Sequence, residues 1–273
     1  MQKFRTLGMA IILVGFLILG GWAAQAETVP GKVLKFGIDA DYPPWAWFEQ
    51  GEFHGMDVEA LRAIIEHFGL KVKFVALPWE TAVPALGAGK IDLLAGAMYI
   101  TCERDKILDY TSPYFRENGF VIVKKGSDLN IGTALCCGAK VAGMAGGTQH
   151  EWLKALADKP KTDLKPIAYE TDELALKDLV AGRVDAMVSD EVVTYDYLEK
   201  YDIEVVGKII KGYSHDVAYG VRQGDPDKLI PIIDKGLKWL WESGKWQALW
   251  AKHMNPKMSP LGPLPLKRQT PCD

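Results

Sequence analysis

Two segments of the chain share a pattern that constrains the fold more than any other feature of the sequence. Residues 85–97 read ALGAGKIDLLAGA, and residues 178–190 read DLVAGRVDAMVSD. Aligned without gaps, both contain Leu, then Ala-Gly, a basic residue, a β-branched residue and Asp. Each predicts a helix that ends at a glycine, Gly89 or Gly182, followed by a buried strand. One copy of such a connector is common, but two copies in matching surroundings indicate two similar lobes.

The surroundings of both copies alternate short β-type runs with helical periods. In the first half we predict strands over residues 33–39, 71–77 and 91–95, with helices over 57–68 and 81–87. In the second half we predict strands over residues 140–144, 165–169 and 184–188, with helices over 148–157 and 172–181. Strands that alternate with helices predict parallel βαβ units, so the fold class is α/β.

The position of a binding site follows from this topology. Ligands of open α/β sheets bind beyond the carboxyl ends of the strands. If two such lobes face each other, the equivalent strand ends at residues 95–99 and 189–190 line one cleft. Residues with binding chemistry should therefore lie near these two ends.

Residues that bind small charged groups do follow the predicted strand ends. Asp39 begins a loop whose two prolines stiffen the chain around Tyr42. Arg104 has the planar guanidinium that suits a carboxylate, and the backbone N–H groups of Gly146-Gly147-Thr148 precede a helix and favour an anion. Singly, each has a plain structural interpretation as a turn cap, a surface ion pair or a tight turn. With Asp190 at the opposite strand end, the set fits a small zwitterion.

The first 26 residues are typical of a secretory signal peptide. Lys3 and Arg5 give a positive start, a non-ionic stretch covers residues 6–21, and Ala24-Gln25-Ala26 is a small-residue cleavage site. The stretch is short for the ~20 apolar residues that span a bilayer. We expect cleavage after Ala26 and release into the periplasm.

The charge balance excludes a class of partner. Removing the two basic residues of the leader from the 32 Lys and Arg leaves 30 basic against 35 acidic residues, a formal charge of −5. Nucleic-acid-binding surfaces show a basic patch or stripe, and no Lys/Arg cluster of that kind is present. Nucleic acid is therefore excluded as a main partner.

Export permits disulfides among Cys102, Cys136, Cys137 and Cys272, and four cysteines allow three complete pairings. We expect a bridge between Cys102 and one of the adjacent pair. A bond between Cys136 and Cys137 would strain the peptide that joins them, so we do not expect it. The sequence contains no C-x-x-C and no His-rich spacing, so we predict no metal site.

The sequence resembles the amino-acid-type solute-binding proteins of bacterial ABC importers, the extracellular solute-binding family 3. The motifs that carry the likeness are DADYPPWAWFEQGEFHGMDVEAL at 39–61, LGAGKIDLLAGAMYITCERDKILDYTSPYF at 86–115 and VAGRVDAMVSD at 180–190. The resemblance implies a two-lobe periplasmic-binding-protein fold of type II, with the ligand in the interlobe cleft and a two-strand hinge. It also implies a monomer that delivers its ligand to an inner-membrane permease, with no metal and no cofactor.

The resemblance divides the chain into segments. The first lobe would be discontinuous and cover residues 27–123 and 217–256, and the second would cover residues 124–216. The hinge would lie near residues 121–125 and 216–221. Residues 257–273 would form a tail that is loose or draped on a lobe.

The family implies that nine residues contact an amino acid or a similar small zwitterion. Arg104 would bind the ligand carboxylate, and Asp190 would bind its ammonium group. The others are Tyr42 and Trp79 as rings around the ligand side chain, Asp39 near its polar end, Ala97 and Tyr99 as donors from the first lobe, and Gly147 and Thr148 in the carboxylate loop of the second. Two positions depart from the family: Tyr99 replaces a common Ser or Thr, and Gly-Gly-Thr replaces the more usual Gly-Thr-Thr.

An enzyme on the same fold is the alternative function. Periplasmic cyclohexadienyl dehydratases, which convert prephenate or arogenate, resemble this chain in their Gly-Gly-Thr loop. Their reaction needs an acid that protonates a leaving hydroxyl, and in those enzymes an acid comes two residues after the Thr. Here that position holds His150, with Glu151 one residue further on. The sequence therefore favours a receptor over an enzyme.

Overall fold

A computed structural model of the protein describes residues 31–160, 162–209 and 213–269. Its strands are β1 (Val33–Ile38), β2 (Asp41–Tyr42), β3 (Ala46–Glu49), β4 (Glu52–His54), β5 (Lys71–Ala76), β6 (Leu93–Leu94), β7 (Leu108–Tyr110), β8 (Phe115–Glu117), β9 (Gly119–Lys124), β10 (Ala139–Met144), β11 (Leu164–Tyr169), β12 (Ala186–Asp190), β13 (Ile203–Ile209), β14 (His215–Val217) and β15 (Gly220–Arg222). Its helices are α1 (Met56–His67), α2 (Trp79–Gly87), α3 (Cys102–Asp105), α4 (Ile131–Ala134), α5 (Thr148–Ala157), α6 (Asp172–Val180), α7 (Glu191–Lys200), α8 (Leu229–Glu242) and α9 (Lys245–His253).

Two five-stranded sheets form the centres of two lobes. Their strand orders are β5-β1-β6-β15-β7 and β11-β10-β12-β9-β13. In each sheet the first three strands of this order are parallel, and the fourth and fifth are antiparallel to their neighbours. The strand within each copy of the sequence repeat, β6 or β12, occupies the centre of its sheet. The α/β class and the two-lobe fold are thereby confirmed.

The chain crosses between the lobes twice, and the two crossings touch. β8 and β14 pair as antiparallel strands, with Glu117 opposite His215 and Phe115 opposite Val217. β9 is hydrogen-bonded on both sides in the second sheet. These hydrogen bonds fix the expected hinge, residues 121–125, in the second sheet. The first crossing from one lobe to the other therefore lies before it, at β8. The lobe boundary between residues 123 and 124 would divide β9, and the boundaries stay a prediction.

The core of the first lobe forms where α1 packs on α8. Leu61, Ile64 and Ile65 of α1 are fully buried, each contributing about 1.5–3 kcal/mol from removal of apolar surface from water. Gly236 lets α8 approach closely, since a Cβ there would lie 2.3 Å from the Ile64 side chain. Trp45 is also fully buried and packs edge-on against other rings of this core rather than in the cleft.

The cysteine pairing differs from the expectation. Cys136 and Cys137 bond to each other, so the expected bridge from one of them to Cys102 is wrong. The pair lies in a tight turn between α4 and β10 of the second lobe, where Cys137 adopts a left-handed φ of 63°, whereas Cys102 begins α3 of the first lobe. Cys102 is itself disulfide-bonded, and Cys272 lies outside the described residues.

Membrane-spanning helices are absent from the described ranges, where no helix is both long and apolar enough to cross a bilayer. The predicted leader, residues 1–26, lies outside these ranges.

Candidate functional site

All nine predicted site residues line one cavity between the two lobes. Three further residues line it that sequence reasoning missed, Gly96, Met144 and Gln149. The topology explains the gathering, because the lining residues lie at or just beyond the carboxyl ends of β1, β5, β6, β10 and β12. The role of each residue toward a ligand is a proposal.

Arg104 is a half-buried cation that contacts both lobes. Its Nη1 donates to the carbonyl of Tyr99 at 3.3 Å, and its Nη2 donates to the carbonyl of Gly146, in the second lobe, at 3.2 Å. The guanidinium carbon lies 5.5 Å from the centroid of the Trp79 ring. Burial lowers the pKa of Arg104 from its ordinary value. Arg104 belongs to none of the ion pairs among the described residues, so its charge is available for an anion.

Asp190 is a buried carboxyl held by phenol hydroxyls. Tyr42, from the first lobe, donates to Oδ2, and Tyr213 donates to Oδ1 at 2.7 Å. Burial raises the pKa of Asp190, and these hydrogen bonds act against the rise. The contact with Tyr42 crosses the cleft, so this carboxyl already joins the two lobes. Tyr99 and Gln149 also act on this carboxyl and oppose the rise, so an arriving ammonium group would share its roughly four lone-pair sites with neutral donors.

The opening beside Asp39 is lined with acidic groups. Asp39 is buried, and burial raises its pKa to about 6, with nearby Asp41 and Glu170 adding to the rise. All three carboxyls line one hollow that adjoins the cavity, and the residues lining it include neither Lys nor Arg. No three His, Cys, Asp or Glu side chains in the described part of the chain are placed to hold a metal ion. This end of the cleft is therefore acidic.

Asp57 shapes the cavity wall from behind and was missed by sequence reasoning. Its Oδ2 accepts hydrogen bonds from the backbone N–H groups of Gly96 and Ala97 at 2.8 and 2.9 Å and from the hydroxyl of Tyr114 at 2.8 Å. These bonds hold Ala97 in a left-handed conformation with φ 54°. The N–H of Ala97, which was the expected donor to the ligand, is therefore already hydrogen-bonded. The carbonyl oxygen of Ala97 remains available to a ligand instead.

The glycine loop of the second lobe lies against the first lobe. Gly146 has φ +69°, and a Cβ there would come within 3.0 Å of the backbone of Glu80 in α2. A side chain would therefore obstruct the approach of the two lobes. α5 begins at Thr148, so its first-turn N–H groups have no partner within the helix and face the cavity end where Arg104 lies.

Tyr99 brings an aromatic ring into the cavity where a small hydroxyl residue was the family expectation. Its ring stacks on His215, with centroids 5.2 Å apart, and its buried hydroxyl lies beside the carboxyl of Asp190. Tyr99 is therefore a polar group that a ligand in this cavity can contact.

The two residues that bear on the enzyme alternative lie outside the cavity lining. Neither His150 nor Glu151 lines it. Glu151 is exposed and forms an ion pair with Lys154 at 2.7 Å, one turn along α5. Burial lowers the pKa of His150, which favours its neutral form. Glu151 instead lines a separate hollow that also includes Thr148 and Arg104, and neither side chain reaches the cavity itself.

The chain is similar to known proteins in sequence and in fold. The family model of bacterial extracellular solute-binding proteins, family 3, matches residues 34–256. The L-arginine-binding protein of Pseudomonas aeruginosa is 29% identical and covers 87% of this chain and 95% of its own length. An ancestral arginine-binding protein solved with arginine is 30% identical, with a TM-score of 0.74 and coverage of 81% and 97%. An ancestral amino-acid-binding protein, a precursor of cyclohexadienyl dehydratase, is 30% identical, with a TM-score of 0.72 and coverage of 82% and 95%.

Proposed function

The chain belongs to the bacterial extracellular solute-binding proteins, family 3, and on this premise we propose that the amino acid it captures for an ABC importer carries a positive charge on its side chain. Arg104 and the start of α5 bind the α-carboxylate, and Asp190 binds the α-ammonium. The side chain extends past Trp79 and Tyr42 toward Asp39. The ligand then joins the lobes and favours hinge closure.

The observation that carries the proposal is the separation of charge along the cleft. One end holds a half-buried arginine, Arg104, that has no ion-pair partner among the described residues. The other end holds Asp39, with two more carboxyls around it and no basic side chain in the lining. Burying a lone carboxylate is costly, and a cation that arrives with the ligand offsets this cost. The arginine-binding relative and the arginine-bound ancestral structure support the same ligand class.

Isothermal titration with arginine and citrulline tests the ligand class. Citrulline has nearly the shape of arginine but a neutral side chain, so the comparison isolates the charge. An unpaired buried charge costs about 2–5 kcal/mol, so we expect arginine to bind at least ~30-fold more tightly than citrulline. The variant Asp39→Asn should lose most of this preference, whereas Asp128→Asn, which changes an exposed carboxyl of the second lobe, should retain it.

Two outcomes would contradict different parts of the proposal. Equal affinity for arginine and citrulline would exclude a cationic side chain and leave a neutral amino acid as the ligand. Failure of all the common amino acids and their analogues to bind would exclude the receptor function itself.

An enzyme is the second candidate, favoured by the similarity to a precursor of cyclohexadienyl dehydratase. The placement of His150 and Glu151 outside the cavity lining argues against it, because decarboxylative dehydration needs an acid beside the leaving hydroxyl. We expect no phenylpyruvate absorbance when prephenate is added to the purified protein. Measurable turnover would establish the enzyme.

The cellular setting completes the proposal. We infer that the leader is removed after Ala26 and that the mature chain acts as a periplasmic monomer with an inner-membrane permease as its partner. Intact-mass measurement of the exported protein, whose chain should begin at Glu27, tests the cleavage. Light scattering of the same material tests the monomer.

A further inference from the structure

Residues 255–269, which we name the C-terminal strap, pack against the protein although the family model ends at residue 256. The sequence predicts that residues 257–273 are loose or draped on a lobe. Its start contacts the second lobe, where the Asn255 amide donates to Glu199 of α7 at 2.9 Å. Further on, Leu264 is buried in the main hydrophobic cluster, and Gly262 lies directly against the ring of Trp241. The strap is therefore a folded part of the molecule.

The strap next follows the two crossing strands. The N–H of Leu266 donates to the carbonyl of Pro113 at 2.8 Å. The N–H of Gln269 donates to Oδ2 of Asp216, a buried residue of β14. The other carboxyl oxygen of Asp216 accepts from Arg116 of β8 at 2.9 Å. Asp216 thus joins both crossing strands to the strap.

The strap also reaches the short helix that carries the proposed carboxylate-binding residue. Arg268 donates to Oδ1 of Asp105, the last residue of α3, and its guanidinium lies 6.0 Å from the ring centroid of Tyr110. The segment that leads into α3 is tied to the same network, because the N–H of Ile100 donates to the carbonyl of Asp216 at 3.0 Å. Both ends of the α3 segment are therefore held by groups that the strap contacts.

α3 needs such support because it is a single turn of four residues, and a helix of this length is unstable by itself. Its local hydrogen bonds span this single turn, from the Thr101 hydroxyl, which accepts from the N–H of Arg104 at 3.2 Å, to the N–H of Ile107, which donates to the carbonyl of Arg104 at 3.0 Å. Everything else that holds α3, including the disulfide of Cys102, comes from outside the turn. A carboxylate site is effective only when its donors are held in place before the ligand arrives.

We propose that the C-terminal strap positions Arg104 for the ligand carboxylate by tying α3 to the crossing strands, with Arg268 as the positioning residue. This inference rests on the proposed function for its effect on affinity. The strap shifts no charge into the cavity and contacts no ligand. It restricts the orientations of Arg104 in the ligand-free protein, so that Arg104 loses less conformational freedom when the ligand binds.

The variant Arg268→Ala tests the proposal in the full-length protein, with arginine as the probe. An exposed ion pair with a cation–π contact contributes modestly, so we expect arginine affinity to fall about 3- to 10-fold. Amide hydrogen exchange over residues 104–107 should become faster in the ligand-free protein. Arg268→Lys keeps the charge near Asp105 and should restore most of the affinity. Arg183→Ala removes another exposed arginine–aspartate pair, in the second lobe, and is the matched control.

The outcomes separate the strap from general stability and from the ligand assignment. The proposal holds if Arg268→Ala changes affinity and exchange near α3 while its melting temperature matches that of Arg183→Ala. Affinity and exchange equal to the control would overturn it, as would a loss of affinity accompanied by a fall in melting temperature and faster exchange throughout. If the unaltered protein binds no amino acid, the proposed function fails, and exchange over residues 104–107 alone decides whether the strap holds α3.

Discussion

Replacing Asp190 by Asn changes the charge of the proposed ammonium site and almost nothing else. The side chain is buried at the end of β12 and receives hydroxyl hydrogen bonds from Tyr42 and Tyr213. The amide of the Asp190→Asn variant has one oxygen that accepts and one nitrogen that donates, and a phenol oxygen can rotate its hydrogen to accept instead. The hydrogen-bond network can therefore re-form, and removal of a buried carboxyl offsets part of what is lost. We expect the variant to fold.

The loss should appear in ligand binding. An ammonium group that enters the cleft is desolvated, and without an ionised partner it costs about 2–5 kcal/mol, so arginine affinity should fall at least ~30-fold. The assay is titration calorimetry of arginine and of its desamino analogue, 5-guanidinopentanoate, on both proteins. The analogue has no ammonium to pair, so it should bind weakly to the original protein and lose far less affinity with the variant. Equal losses for both ligands would refute the reasoning, since Asp190 would then not recognise an amine.

Three further predictions follow from the same electrostatics. Arg104→Ala leaves the ligand carboxylate desolvated without its partner, so calorimetry should show at least a ~30-fold loss of arginine affinity; an unchanged affinity would remove this residue from the site. Arginine affinity should also depend on pH, because the pKa of Asp39 is raised to about 6 and the cation binds its ionised form. Affinity should be full above pH 7 and fall about tenfold by pH 5, and Asp39→Asn should abolish that dependence. Finally, burial raises the pKa of Asp172 to about 8, so the stability that its protonated form contributes is complete near pH 4 and is lost as pH rises through 8. Asp172→Asn should therefore unfold in urea at a higher free energy than the original protein at pH 8, by roughly 1–3 kcal/mol, with no difference at pH 4.

Local patterns sufficed for the fold and for much of the site. The hydrophobic periods predict strands and helices because each element buries one face. The two repeats, in which a predicted helix ends at a glycine, contain the central strand of each sheet. The topological rule then placed Asp39, Arg104 and Asp190 at facing strand ends, and the structure brings them to one cavity.

Contacts between distant segments could not be read in the same way. Tyr213 donates a hydrogen bond to Asp190 from the segment between β13 and β14, whose sequence has no hydrophobic period. Asp57, in α1, accepts hydrogen bonds from the N–H groups of Gly96 and Ala97. An Asp in the first turn of an amphipathic helix has an ordinary role at the helix N-terminus, so no signal marked it as a support for the cavity. The Cys136–Cys137 bond depends on a local left-handed turn, which sequence spacing does not reveal.

The proposed function depends on the orientation of the ligand in the cleft. A crystal structure of the protein grown with arginine would show that orientation. The predicted complex has the α-carboxylate on Arg104 and the first turn of α5, the ammonium group on Asp190, and the guanidinium beside Asp39. A guanidinium directed toward Arg104, or an arginine bound outside the interlobe cavity, would contradict the account.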